Sequence, residues 1–167
     1  MSLALFMAFF SAAQANSTLI QLESHFKESV PETALTLLNN TQIVLAELTA
    51  EEQARWYFLY GQAYEKSRQL DLAIESYGKG IALVESLTIS GILIDSYLER
   101  SFAVYLQTND PAAYCIDRRA ALKYARQHDN PKLLAKTLTQ NAYCYYTATT
   151  VQQGIALLDE AMAIVDK

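Results

Sequence analysis

The sequence has few of the residues on which catalytic and metal-binding motifs depend. Its 167 residues include only five glycines, three prolines, two cysteines and two histidines. No glycine-rich phosphate loop follows a strand pattern, and no Gly-x-Ser-x-Gly motif occurs. No Cys-x-x-Cys or His-x-x-x-His spacing is present to hold a tetrahedral metal. We therefore expect no catalytic residue, metal or cofactor.

Basic residues are also too few and too scattered to suggest a nucleic-acid partner. Thirteen Lys and Arg residues stand against eighteen Asp and Glu residues, which gives a net charge of −5. The densest basic cluster is Arg118 and Arg119 with Lys123 and Arg126, and we interpret it as a solvated helix face. The charge balance therefore argues against DNA or RNA binding.

Long hydrophobic runs are absent, and the one apolar run of note lies near the N-terminus. Residues 3–10 are all apolar, but a bilayer span needs about 20 such residues. Ala13-Gln14-Ala15 has the small-x-small form that signal peptidase accepts. We interpret residues 1–15 as a residual secretory leader, which implies export from the cytoplasm. A native amphipathic helix is the alternative, and membrane contact is expected only through flanking segments outside this chain.

The two cysteines allow more than one interpretation. Cys115 and Cys144 fall on helices that are expected to be near neighbours, so they could pair in an oxidising compartment. Helical phase places Cys115 on the outside of its helix and Cys144 on the inside. We favour two free thiols, with a disulfide as the alternative.

Helix signals recur along the chain, whereas strand signals are almost absent. Thr49 and Glu52 form a capping box, and Pro111 and Pro131 each stand at a first helical position after a capping residue. Apolar residues follow at helical spacing. The predicted helices cover residues 18–27, 31–46, 50–66, 70–84, 91–106, 111–127, 131–146 and 151–164.

A pattern of small and large residues recurs four times at near-constant spacing. Successive copies are 39, 40 and 41 residues apart. A fixed period in this range predicts stacked units that share one core. The four copies consist of Leu22, Ala34, Leu38 and Thr41; Gly61, Ala73, Tyr77 and Gly80; Ser101, Ala113, Asp117 and Ala120; and Ala142, Gly154, Leu158 and Ala161.

These residues resemble the tetratricopeptide repeat, a family whose units are pairs of antiparallel helices. The second unit resembles it through Tyr57, Tyr60, Gly61, Tyr64, Ala73, Tyr77 and Gly80. The fourth unit repeats the pattern with Leu138, Ala142, Tyr145, Val151, Gly154, Ile155, Leu158 and Ala161. The resemblance implies an all-α fold, a right-handed α-solenoid of about four helix hairpins. Its units would be residues 16–48, 49–88, 89–129 and 130–167.

The unit length suggests a particular branch of this family. A typical unit has about 34 residues, and units of about 40 resemble those in bacterial sensors. With the leader, the resemblance implies the periplasmic input region of a membrane signalling protein, such as a diguanylate cyclase of the GGDEF type. The last helix carries apolar Ile155, Leu158, Met162 and Ile164 with no helix after it, so we expect the natural chain to continue.

In this family the first helix of each unit lines a concave groove. Phe102 and Tyr143 take equivalent positions in successive units, and so do Tyr105 and Tyr146. These rings would form an aromatic ladder suited to a peptide. The alternative is that they pack against neighbouring helices or a second chain. The candidate groove residues are Arg55, Phe58, Gln62, Phe102, Tyr105, Lys136, Tyr143 and Tyr146.

The expected function is therefore binding rather than catalysis. We expect a non-catalytic sensory or interaction module whose partner is a peptide or a protein. A cytosolic scaffold or regulator of the same fold is the alternative, favoured if residues 3–10 form a native helix. The sequence does not decide between a monomer and a homodimer.

Overall fold

The computed structural model describes residues 17–24, 26, 31–41, 43–87 and 89–165. The leader interpretation falls on residues 1–15, which lie outside these ranges. Within the described ranges the regular structure is helical and no strand occurs, which confirms the all-α part of the predicted fold. Among the same residues, no helix combines the length and apolar character that a bilayer span requires.

Eight helices occur in the described residues, most of them close to their predicted bounds. Helix α2 ends earlier than predicted and is followed by a single 3₁₀ turn at Leu45–Glu47. The helices are α1 (residues 17–24), α2 (Pro31–Asn40), α3 (Ala50–Lys66), α4 (Leu70–Val84), α5 (Gly91–Thr108), α6 (Pro111–Ala125), α7 (Pro131–Ala142) and α8 (Val151–Val165).

Local capping chemistry fixes where three of these helices begin. Thr49 accepts a hydrogen bond from the backbone N–H of Glu52, whose carboxylate accepts one from the N–H of Thr49 at 2.8 Å. Asp110 caps α6 and Asn130 caps α7, and each is followed by a proline at the first helical position. These starts confirm the capping predictions, because a cap satisfies N–H groups that have no partner within the helix.

Helix α7 stops four residues before its predicted end. Tyr143 is its C-cap, and residues 144–150 form a turn region. In that region the Thr150 hydroxyl accepts from the backbone N–H of Thr147 at 3.3 Å and bonds to the Thr147 hydroxyl at 2.7 Å. At the end of α7 itself, the N–H groups of Cys144 and Tyr145 donate to the carbonyls three residues back, at Asn141 and Ala142, so the helix closes with a tight turn.

The chain divides into two compact units, each larger than one sequence repeat. From here on, the first unit is Met1–Val84 and the second unit is Glu85–Lys167. In the first unit α3 packs against α4, and α2 packs against α3. In the second unit α5 pairs with α6 and α7 with α8, while α6 also contacts α7. Adjacent helices therefore pack as pairs.

A close helix contact in the first unit joins Gly61 of α3 to Tyr77 of α4. Tyr77 is fully buried, and its hydroxyl donates to Glu65 at 3.1 Å. A Cβ atom built on Gly61 would lie 2.4 Å from Cε1 of the Tyr77 ring. Only glycine allows this approach, since real Cβ atoms do not come so close to a ring that is itself held on all sides.

Gly61→Ala should therefore destabilise the first unit by about 1–3 kcal/mol through overpacking. The expected result is a lower midpoint in urea denaturation followed by far-ultraviolet circular dichroism, which reports on the helices of both units. The matched control is Gly91→Ala, where the added Cβ would lie 3.7 Å from a Leu133 methyl, an ordinary contact. Equal midpoints for the two variants would contradict the close packing of Tyr77 on Gly61.

The second unit contains a buried ion pair that the sequence pattern did not reveal. Asp117 of α6 is only 7% exposed and accepts two hydrogen bonds from the Arg100 guanidinium of α5, both at 2.7 Å. This bond raises the pKa of Arg100 above its ordinary value. Asp117 stands at the repeat position that the buried Tyr77 takes in the preceding copy, so a charged pair occurs here where the other copy has a ring.

Helix α8 turns only one of its apolar sides to α7. Gly154 and Ala161 are buried on that side. Of the four apolar residues singled out in the sequence, Ile164 packs against the α7–α8 core cluster, whereas Ile155, Leu158 and Met162 are exposed.

Candidate peptide-binding cleft

A cleft of about 330 Å³ lies at one end of the second unit. The last turns of α5, the start of α6 and the segment at the end of α7 form its walls. Its lining residues are all aromatic or proline, and no charged side chain is among them. They are Phe102, Tyr105, Pro111, Tyr114, Tyr143 and Tyr146.

A two-residue connection brings the α5 and α6 walls together. Asn109 ends α5 in the left-handed conformation with φ 54°, and its N–H donates to the Tyr105 carbonyl at 2.8 Å. Asp110 then caps α6 directly. Asparagine tolerates this conformation better than most residues, so the chain can reverse within two residues. As a result the rings of Tyr105 and Tyr114 meet edge to face with centroids 5.7 Å apart.

A disulfide between Cys115 and Cys144 ties the α6 wall to the segment after α7. The two Cα atoms are 5.6 Å apart, within the range that disulfides require. Each cysteine directly follows a tyrosine of the cleft, Tyr114 or Tyr143. The bond therefore fixes the separation of two opposing cleft residues.

The disulfide overturns the expectation of free thiols, and the expected orientations were also reversed. Cys115 is buried at 2% exposure, whereas Cys144 is half-buried. The helical phase failed for Cys144 because α7 ends at Ala142, so the turn and not the helix directs this side chain.

The structure brings four of the eight predicted groove residues together. Phe102 and Tyr105 are 39% and 36% exposed, and Tyr143 and Tyr146 are 71% and 67% exposed. All four line the cleft. These four rings are therefore not a buried core of this chain, although Tyr105 does pack against Tyr114 of the neighbouring helix α6.

The other four predicted residues have different surroundings. In the second unit, Lys136 donates to Asp95 at 2.8 Å and does not line the cleft. In the first unit, Arg55 pairs with Glu23 and Gln62 is half-buried. Phe58 packs against the Tyr77 ring with centroids 5.7 Å apart. Lys136, Arg55 and Phe58 therefore have partners within their own units.

The prediction that these four rings form a ladder along successive first helices was wrong in its geometry. Tyr143 is the C-cap of α7 and Tyr146 lies beyond it, so neither continues a helical row with Phe102 and Tyr105. The sequence reasoning also missed Tyr114, because the family resemblance places the groove on first helices and Tyr114 lies on a second helix. The repeated Tyr-Cys dipeptide was the signal that could have identified it.

A buried arginine supports the back of the cleft. The Arg118 guanidinium stacks on the Tyr114 ring, 4.5 Å from its centroid, and donates to the Gln140 side chain. Arg118 is only 5% exposed, which corrects its assignment to a solvated face; Arg119, Lys123 and Arg126 are exposed. Burial lowers the pKa of Arg118, and its Nε has no hydrogen-bond partner among the described residues.

Burial also affects the ionisation of Tyr114. It raises the pKa of this phenol above its ordinary value, partly opposed by the positive charge of Arg118. Tyr114 therefore stays protonated at neutral pH and keeps an O–H donor. Within the described residues, no group of three or more His, Cys, Asp or Glu side chains is placed to bind a metal.

Comparisons with protein-family models and with curated proteins give no match to this chain. The tetratricopeptide resemblance is therefore a hypothesis about the chain.

Proposed function

We propose that this chain is a non-catalytic module that binds an extended peptide segment of a partner protein in the aromatic cleft. The observation that carries the proposal is the convergence of five aromatic side chains and one proline from three chain segments. Concave sites of about 300–1,000 Å³ with apolar walls are typical of ligand sites. Aromatic residues give large contact areas at low entropic cost and are enriched at binding hot spots.

The helix pairs support a fold of the tetratricopeptide type as part of this proposal. Pairs α3–α4, α5–α6 and α7–α8 follow one another at the spacing of the sequence repeat. Arrays of helix pairs commonly present binding surfaces to proteins. A right-handed solenoid of about four hairpins is the arrangement that we propose.

The disulfide favours the exported form of the proposal over a cytosolic scaffold. Disulfides persist in secreted and periplasmic proteins and are rare in the reducing cytosol. Together with the leader-like residues 1–15, it supports a periplasmic input region of a larger signalling protein, with a GGDEF-type cyclase as the proposed output. Cell fractionation of the native host tests this, and recovery of the protein only from the cytosol would contradict it.

Binding at the cleft is tested with alanine variants of two exposed cleft residues. Phe102→Ala and Tyr143→Ala should each weaken peptide binding by more than about 1 kcal/mol, because they remove central ring contacts. The measurement is affinity selection from a random peptide library, followed by calorimetry with the selected peptides.

The matched control is Ile116→Ala, which removes an apolar side chain of α6 that lies outside the cleft and is about as exposed as Tyr143. It should bind the selected peptides with wild-type affinity. Selected peptides that bind all three variants equally well would show that the cleft is not the site.

A further inference from the structure

The tyrosines of the cleft differ from several others in this protein in their hydrogen bonding. The hydroxyls of Tyr105, Tyr114, Tyr143 and Tyr146 form no hydrogen bond to any described residue. Away from the cleft, four of the seven tyrosines donate to side-chain oxygens: Tyr60 to Asn39 at 3.1 Å, Tyr77 to Glu65 at 3.1 Å, and Tyr97 and Tyr124 to Glu85 at 2.6 and 2.9 Å. The cleft thus carries four O–H donors that a ligand can use.

The donors of the cleft define the ligand that complements them. Its lining contains no carboxylate and no amide side chain, so the side chains offer the N–H groups of an ordinary peptide only phenol oxygens as acceptors. A phenol hydroxyl donates well to a peptide carbonyl. The complementary ligand is therefore rich in carbonyl acceptors, poor in N–H donors, uncharged and apolar.

Proline-rich peptides meet each of these conditions. Proline has no backbone N–H, so a run of prolines offers carbonyl acceptors only. In the polyproline II conformation those carbonyls point outward without internal hydrogen bonds, and the rings project every third residue along each edge. Aromatic-lined grooves bind such helices because the ligand is already ordered before binding.

We propose that the cleft binds a proline-rich segment in the polyproline II conformation, with proline rings between the aromatic walls and phenol hydroxyls donating to its carbonyls. This inference rests on the proposed function and specifies its ligand class. The disulfide contributes by holding Tyr114 and Tyr143 at a fixed separation, so the cleft is formed before the peptide arrives.

The test uses a fluorescein-labelled decaproline and, as a reference, a labelled Gly-Ser decamer of the same length. Fluorescence anisotropy should show saturable binding of decaproline and at least tenfold weaker binding of the Gly-Ser peptide. Tyr143→Phe, which keeps the ring and removes the hydroxyl, should weaken decaproline binding about threefold or more. Ile116→Ala should leave it unchanged.

Two outcomes separate this inference from the function on which it rests. If decaproline fails to bind while library-selected peptides without proline bind in a Phe102-dependent way, the ligand class is wrong and the cleft remains a peptide site. If no peptide binds in a cleft-dependent way, both proposals fail. Equal affinity of wild type and Tyr143→Phe would overturn the hydrogen-bonding argument. Tyr143 is 71% exposed, so its variants should keep the wild-type circular dichroism spectrum.

Discussion

Removal of the Cys115–Cys144 disulfide should lower the free energy of unfolding of the second unit by about 3–4 kcal/mol. The two cysteines are 29 residues apart in sequence, and a cross-link that closes a loop of this length restricts the unfolded chain by about that amount. The double variant Cys115→Ala/Cys144→Ala removes the bond without placing a hydroxyl at the buried Cys115 position. Urea denaturation followed by far-ultraviolet circular dichroism measures the loss.

A reductant provides the control for this prediction. Dithiothreitol should shift the denaturation midpoint of the wild type towards that of the double variant. It should leave the double variant itself unchanged, because that protein has no disulfide to reduce. Identical midpoints for oxidised and reduced wild type would show that the bond does not restrain the second unit.

Asp117→Ala should cost the second unit about 3 kcal/mol, because it leaves the partly buried Arg100 guanidinium without its carboxylate partner. The comparison is Glu75→Ala, which breaks the exposed pair of Glu75 with Lys79 on α4. Exposed pairs of this kind contribute less than about 1 kcal/mol. Denaturation midpoints of the two variants measure the difference.

A double variant identifies the cause of the Asp117 effect. Arg100→Met/Asp117→Leu replaces both charges with apolar groups and should recover part of the stability lost in Asp117→Ala, since no unpaired charge remains. A loss for Asp117→Ala as small as that for Glu75→Ala would contradict the role of the pair. Failure of the double variant to recover any stability would attribute the loss to packing.

Helix starts were predictable because the information is local. A capping residue followed by proline or by Glu at the third helical position determines where the chain enters a helix, and Thr49, Asp110 and Asn130 all act in this way. The end of α7 was less predictable. The helix closes with a tight turn at Cys144 and Tyr145, and Cys144 is bonded to Cys115 of α6, a tertiary contact that the local sequence does not indicate.

Whether a polar residue is buried depends on the other helices that pack against it, and the periodicity of its own helix does not reveal those contacts. Arg118 lies in a basic cluster in the sequence, but in the fold it donates to Gln140 of α7, while Tyr114 of its own helix stacks on it. The same dependence on tertiary contacts applies to the cleft. Phe102 and Tyr143 were predicted to line one groove from their equivalent repeat positions, whereas Tyr114 could be assigned to the cleft only from the fold and the disulfide.

The disulfide beside the cleft has a practical consequence for finding the partner. Interaction screens run in a reducing cytosol, such as two-hybrid assays, would present the chain with Cys115 and Cys144 as thiols. Tyr114 and Tyr143 would then no longer be tied together, and a true partner could escape detection. Screens with oxidised protein, on beads or displayed at a cell surface, would present the cleft in the geometry described above.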